Sequence, residues 1–447
     1  MRYVLPLLIL LVAAGCPDGS TQPAVDHDAG DAGPSGDAMA SDADGSAGTD
    51  GGEVGLEMPA LQARPVSGRW LAGDFHVHAT GASNDTGGNS TPERIKEVGV
   101  MRGLDFLVLT DHSNSTGSDP STLDEDPALF NQGPEFPYWD EAARLSDDTF
   151  LMVDGNEMSP RQMDNGPTGH VGCYPRDLAT FDPDVAFVDR PRGEVTGAQT
   201  LQQAHDAGCF ATVNHPFGPA PWIAFDWTSR DYDGIEVFNG GAGWDQFDYQ
   251  AVEAYACDLS LGQVDTAMGG SDNHRVNQEL PGTLTNPPLA LPHTWVFADS
   301  LDWSTIVAGL DAHRVTISDT GTPMDVDVYA ADGTWLAMTG GEFDASSGAI
   351  LRARGALANS QGEARTLQFV RVTADACDDT RMPRQIIVPD PHWEIVDEVE
   401  VEADSTFDVT VSVTPQPGDA YFAWLHPGTS RVIQKYGVAI SNAVRAR

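Results

Sequence analysis

Six short motifs gather imidazole and carboxylate groups in one stretch of this chain. They are Asp74-Phe75-His76-Val77-His78, Thr110-Asp111-His112, Gly155-Asn156-Glu157, Gly169-His170, Asn214-His215-Pro216 and Ser271-Asp272-Asn273-His274. Imidazole and carboxylate are the donors that suit Zn, Mn or Fe. Alternate residues of an extended strand share one face, so His76 and His78 can reach the same ion, as can Asp272 and His274. One such pair is a weak signal. Six motifs within one domain predict a centre of two or three divalent ions held by His76, His78, His112, Glu157, His170, His215, Asp272 and His274. A water shared between two such ions loses a proton near neutral pH, and the resulting bridging hydroxide is the expected nucleophile, while an ion polarises the P=O or C=O group under attack. No nucleophilic side chain is then required. The absence of a G-x-S-x-G elbow argues against a serine hydrolase, and the absence of GxGxxG or Walker spacing against a nucleotide loop.

Residues so far apart in sequence converge only if a scaffold brings them to one mouth. Apolar runs at Trp70 to His76, Asp105 to Thr110, Phe150 to Gly155, Phe210 to Asn214, Gly234 to Phe238 and Thr266 to Gly270 read as strands, and the histidines are expected where strands end. Helices fit between them. One has Thr91 as N-cap and Pro92 at its first position and ends near Gly103; a second spans Thr200 to Ala207, and a third about Asp245 to Leu259. Alternating strands and helices predict an α/β barrel or an open parallel sheet, in which the C-terminal strand ends share one face. Asp74 and Asp111 adjoin ligand histidines and are expected to orient imidazoles by hydrogen bonds. Asp111 is also the candidate for proton transfer. Arg161 and Arg275 are candidates to clamp an anionic group with a guanidinium fork. His27, His205, His293, His313, His392 and His426 read as surface or packing residues. The segment from Ser113 to about Asp148, with Phe130, Phe136, Tyr138 and Trp139, is expected to wall the pocket.

The formal net charge of -43, with only two lysines (Lys96 and Lys435), disfavours a large nucleic-acid-binding surface. Met1-Arg2, the apolar run to Val12 and Ala13-Ala14-Gly15-Cys16 read as a lipoprotein signal peptide (1–16). Cys16 would then carry the acyl anchor, placing the protein on the cell envelope, at a periplasmic or surface face. Residues 17–62 are rich in Asp, Gly, Ala and Ser and read as a disordered acidic tether. Residues 63–320 would form the catalytic domain. From 321 to 447 strand alternation replaces the helical signal, as in Met324 to Tyr329 and Thr406 to Val411, and predicts a small β-sandwich without catalytic residues. Cys173, Cys209, Cys257 and Cys377 allow three disulfide pairings or none.

The order HxH, TDH, GxE, GH, HP, SDxH resembles the PHP (polymerase and histidinol phosphatase) superfamily over about residues 70 to 320. It looks most like the branch that has a C-terminal β-rich extension and includes a carbamate (carbaryl) hydrolase. The resemblance implies an α/β fold, a distorted seven-stranded TIM-like barrel followed by the small β-sandwich. It assigns His76, His78 and Asp272 to one ion, with Glu157 bridging to a second ion held by His170 and His215. His112 and His274 would hold a third, with Asp85 as its further ligand. The implied activity is hydrolysis of small phosphate esters. A 5'-3' exonuclease or nucleoside bisphosphate phosphatase, a carbamate, ester or amide hydrolase, and a lipid-anchored binding module are the alternatives.

Overall fold

The computed structural model describes residues 58–79, 90–112, 138–159, 169–181, 196–218, 222, 229–240, 243–279, 287–374, 377, 393–426 and 436–447. The α/β part comprises β1 (Arg69–Val77), α1 (Pro92–Met101), β2 (Phe106–Leu109), α2 (Tyr138–Leu145), β3 (Leu151–Asp154), β4 (Asn156–Met158), β5 (His170–Pro175), α3 (Gly197–Asp206), β6 (Cys209–Asn214), β7 (Gly234–Asn239), α4 (Gln246–Ser260) and β8 (Thr266–Gly270). Next come β9 (His293–Ala298), α5 (Trp303–Asp311) and β10 (Val315–Ser318). The rest is β-rich: β11 (Asp325–Ala330), β12 (Trp335–Met338), β13 (Glu342–Phe343), β14 (Ala349–Leu357), β15 (Arg365–Val372), β16 (Trp393–Val401), β17 (Ser405–Val413), β18 (Ala420–His426), β19 (Ala439–Ser441) and β20 (Val444–Ala446).

Capping chemistry sets the helix starts. Thr91 accepts the Arg94 N–H ahead of Pro92 and opens α1 where its sequence places it. Helix α3 begins a turn earlier than Thr200, because Thr196 and Gln199 form a reciprocal capping box that satisfies two orphan amides. Asp245 and Asp248 form another at the head of α4.

The strands do not all run parallel. β1, β2 and β3 are parallel neighbours, and so are β6, β7 and β8, but β5 lies antiparallel to both β4 and β6. The motif segments complete this array. Asp272 N–H donates to His76 O at 2.8 Å and His78 N–H to Asn273 O at 2.9 Å, which joins the end of β8 to the end of β1. On the other side Thr110 N–H reaches Val77 O at 2.8 Å, and Glu157 N–H reaches Asp111 O at 3.0 Å. The ends of β1, β2, β4 and β8 are thereby laced to one another by their own backbones.

The β-rich half continues the sheet of the α/β half through β10, which pairs with β19, and β19 pairs with β18. Strand β18 is buried along its whole length because both of its faces are covered. Tyr421, Ala423 and Leu425 face a core shared with the separate four-stranded sheet β12-β11-β14-β17, whereas Ala420, Phe422 and Trp424 face the core that includes α4 and β6 to β8. The period of two in one strand therefore feeds two cores. Disulfides join Cys173 to Cys209 between β5 and β6, and Cys257 of α4 to Cys377 across 120 residues. Among the described residues no helix is long and apolar enough to cross a membrane.

Candidate metal centre

The ligand candidates arrive on separate elements. His76 belongs to β1, with His78 just beyond its end. His112 follows β2, and Glu157 is the middle residue of β4. His215 follows β6, and Asp272 and His274 follow β8. His170 departs from the strand-end expectation: it is the first residue of β5, and it reaches the mouth because that strand is reversed. His215 and Asp272 have φ of 27° and 54°, a left-handed conformation that costs a non-glycine residue about 1–3 kcal/mol. Both departures bend the chain at a point where its side chain faces the cluster.

Glu157 sits at the centre, fully buried. Its Oε1 lies 3.0 Å from His170 Nδ1, 3.1 Å from His76 Nε2 and 3.2 Å from His215 Nε2, while its Oε2 lies 2.8 Å from His112 Nδ1 and 3.8 Å from His78 Nε2. Asp272 Oδ1 adds contacts of 3.2 Å to His78 Nε2 and 3.3 Å to His76 Nε2. The rings of His78 and His274 stack at 3.9 Å. Four overlapping triads have all their donor atoms within 4.8 Å of one another: His78, His112 and His274; His76, His78 and Glu157; His76, His215 and Asp272; and His112, Glu157 and His170. All eight expected ligands thus meet in one place. Asp85 and Arg161 lie outside the described residues, as do most of the expected wall after Ser113, including Phe130 and Phe136.

Burial and mutual charge set the protonation of these groups. Burial works against a charged His76, but the carboxylates of Asp272, Glu157 and Glu236 outweigh it and hold its pKa well above 6.5. His215 is raised in the same sense, burial being outweighed by Glu157. Burial, reinforced by His274 and His112, lowers His78 to about 3, and burial lowers His170 to about 4. Burial would raise Glu157 and Asp272, yet the surrounding histidines keep both well below the ordinary carboxylate range. Carboxylate oxygens and imidazole nitrogens converge here in greater number than their hydrogen bonds account for. His76 Nε2, His170 Nδ1 and Glu157 Oε2 are buried and make no hydrogen bond of ordinary geometry, although oppositely charged atoms are within about 3 Å. Lone pairs aimed at a common point fit divalent cations with N and O ligation, and such ions would satisfy all of these atoms.

The neighbouring Asp74 and Asp111 both accept backbone N–H groups. Asp74 accepts the N–H groups of His76, Ser271 and Ala290 at 3.2, 3.0 and 2.8 Å, which fixes β1 to the segments after β8. Burial raises its pKa against those bonds. Asp111 accepts Ala79 N–H at 2.8 Å. Outside the expected ligands, the carboxylate that meets an imidazole of the cluster is Glu236 of β7, 3.1 Å from His76 Nδ1. The sequence offered one signal for it, a single acid inside an apolar strand. Asn214 is a second unforeseen participant, its Nδ2 donating to Glu157 Oε1 at 2.9 Å. Ser159 Oγ lies 3.3 Å from His112 Nδ1. Arg275 is exposed, immediately after His274. His205, His293 and His313 bond Asp233, the Arg102 carbonyl and Thr266 respectively, and His426 packs on Trp424, so these four lie apart from the cluster. A cleft of about 370 Å³, its open mouth included, adjoins His215 and Glu236 and is lined also by Phe217, Asn239, Asp245 and Phe247.

No protein-family profile matches the chain, and no curated protein matches it. Among solved structures, the chain is similar to a two-domain protein from Bacteroides vulgatus containing a predicted PHP-like metal-dependent phosphoesterase, with 15% identity over 87% of this chain and 100% of that one and a TM-score of 0.39. It is also similar to the lesion-specific endonuclease PfuEndoQ from Pyrococcus furiosus, at 15% identity over 54% of this chain and 56% of that one, TM-score 0.35. A third is PsfC from Pseudomonas syringae, at 20% identity over 51% and 82%, TM-score 0.32.

Proposed function

We propose that this protein is a metal-dependent hydrolase of the PHP type that cleaves small phosphate esters. The observation that supports it is the convergence of six imidazoles and two carboxylates, from strands distant in sequence, into four overlapping triads. In this reading β1 to β8 form the distorted seven-stranded barrel, with β3 and β4 as one strand broken at Gly155, and the strands from β11 onward form the β-sandwich. His76, His78 and Asp272 would hold one ion, His170 and His215 with Glu157 a second, and His112 and His274 a third, with Asp85 as its candidate partner. Such ions supply Lewis acidity and activate water as the nucleophile near neutral pH.

The chain's own residues do the rest. Asn214 orients Glu157 by donating to Oε1, and Asp74 locks the backbone that carries His76 to the segment that carries Asp272. Asp111, fully buried beside His112, is the candidate for proton transfer, and its bond to Ala79 N–H holds it in place. Phe217 and Phe247 beside Glu236, Asp245 and Asp248 give the adjoining cleft an apolar and acidic lining in which His215 is the one basic side chain among the described residues. That chemistry suits a neutral or cationic leaving group and disfavours a second phosphate, which ranks simple esters ahead of nucleoside bisphosphates. Two disulfides in the described chain fit an oxidising compartment, and the proposed export with Cys16 as acyl anchor is drawn from the sequence of residues 1–16.

The test is a panel of p-nitrophenyl phosphate, bis-p-nitrophenyl phosphate and naphthyl carbamate with Mn or Zn, applied to the wild type and to His170→Ala and Asp272→Ala. Phosphatase activity lost in both folded variants supports the reading. Preference for the carbamate moves the substrate class to carbon esters, and no hydrolysis at all favours a binding module.

A further inference from the structure

We infer that Glu236 is the positioning residue of the centre, selecting the ring nitrogen that His76 presents to the cluster and holding His215 in its left-handed turn. The inference rests on the metal-centre reading and adds a residue that reading does not contain. Glu236 is 3% exposed and lies on β7, a strand that provides none of the proposed ligands. Three groups converge on its carboxylate. Oε1 is 3.1 Å from His76 Nδ1, and Oε2 accepts the backbone N–H of His215 at 2.7 Å and Asn239 Nδ2–H at 3.1 Å.

A carboxylate only accepts, so His76 Nδ1 must carry a hydrogen, and Nε2 is the nitrogen turned toward Glu157 and Asp272. The other oxygen holds His215 at φ 27°, a conformation that a histidine adopts only when its surroundings impose it. Asn239 Nδ2 also lies 3.3 Å from Asp272 Oδ2, and its own N–H is fixed by Asp248 at 3.0 Å. One carboxylate therefore links β1, the turn after β6 and, through Asn239, the ligand after β8. Gly270 makes room for the contact, since a Cβ there would lie 2.4 Å from His76 Cβ and 3.0 Å from Glu236 Oε1. Glutamine has the same shape but the wrong chemistry. Its amide nitrogen would face His76 Nδ1–H or the His215 and Asn239 donors, and either choice sets donor against donor.

The experiment measures the affinity of the full-length, metal-stripped protein for Zn²⁺ by chelator competition, alongside the thermal midpoint and the kcat and KM of the reloaded enzyme. Loss of outer hydrogen-bond partners commonly lowers metal affinity by about 10- to 100-fold. Glu236→Gln is expected to weaken Zn²⁺ binding by that factor and to lower kcat more than KM. Glu236→Asp, which keeps two acceptors on a shorter arm, is expected to recover part of the affinity. If Glu236→Gln does not fold, Asn239→Ala decides: it removes one donor, and an affinity loss of about 3-fold is expected from one hydrogen bond. Wild-type affinity in folded Glu236→Gln, or in Asn239→Ala where that variant decides, overturns the inference. Failure of the wild type to bind Zn²⁺ overturns the metal-centre reading itself, a result distinct from either.

Discussion

Glu157→Gln replaces one oxygen at the centre of the cluster with an amide nitrogen and removes a charge. Four histidine nitrogens lie between 2.8 and 3.2 Å from the two carboxylate oxygens, so there is no side of the group on which a donor is welcome. Two unit charges about 4 Å apart interact by about 4 kcal/mol at an effective dielectric constant near 20, and a divalent ion doubles that. Relief from burying the carboxylate offsets several kcal/mol of the gain. A net loss on the order of 3–5 kcal/mol remains, the usual cost of removing one partner from a buried charged set. At about 1.4 kcal/mol per tenfold, metal affinity should fall by roughly two to four orders of magnitude. The assay is chelator competition with Zn²⁺ or Mn²⁺, with elemental analysis after dialysis and circular dichroism to verify the fold. A folded variant whose affinity stays within about threefold of wild type would refute the placement of Glu157 as the shared ligand.

Other consequences follow from the same geometry. His76 and His215 hold protons above their ordinary pKa in the metal-free protein, so ion binding near pH 7 should release protons and tighten as pH rises. Calorimetry in buffers of different ionisation enthalpy checks this, and buffer-independent heats would contradict it. Gly270→Ala forces a Cβ to within 2.4 Å of His76 Cβ, so metal content should drop in protein that still folds, as elemental analysis would register. Asp319 tests the electrostatics away from the centre. Burial lifts its pKa from 3.8 to about 7 against the N–H groups of Gly437 and Val438 and the charge of Arg365. The folded carboxyl keeps its proton where the unfolded one has lost it, so this group makes stability fall as pH rises from about 4 to 7, by on the order of 4 kcal/mol. Oδ1 alone accepts both amides, at 2.9 and 2.7 Å. Asp319→Asn should therefore keep those bonds, flatten the pH dependence and be the more stable protein at pH 8 in urea titrations; a less stable variant would contradict the assignment.

The site was readable to the extent that its donors announce themselves in short motifs. His76 and His78 alternate on one strand, and Thr91-Pro92 marks the start of α1, because local geometry alone fixes both. The direction of β5 is not local. It depends on how the chain returns after Glu157, so His170 was expected at a strand end and is found at a strand start. Glu236 escaped notice because a lone acid in the strand Gly234–Asn239 gives no hint of the histidine and turn it meets across the array. Asp74 was expected to bond an imidazole, and its carboxylate accepts instead the backbone amides of His76 and of the distant Ser271 and Ala290. In the β-rich half, β18 carries no alternation of apolar and polar residues because both faces are buried, and nothing in its sequence tells which residue enters which core. The four cysteines left three pairings open, and the choice between them was made by strand adjacency in one case and by a contact across 120 residues in the other.

In the proposed function the clustered side chains hold catalytic ions. Its most direct test is elemental analysis of the purified full-length protein, paired with hydrolysis of p-nitrophenyl phosphate before and after chelation. Two or three equivalents of Zn, Mn or Fe per chain are expected, with activity abolished by the chelator and restored by the ion. Less than one equivalent, with no hydrolysis after any of these ions is added back, would contradict it.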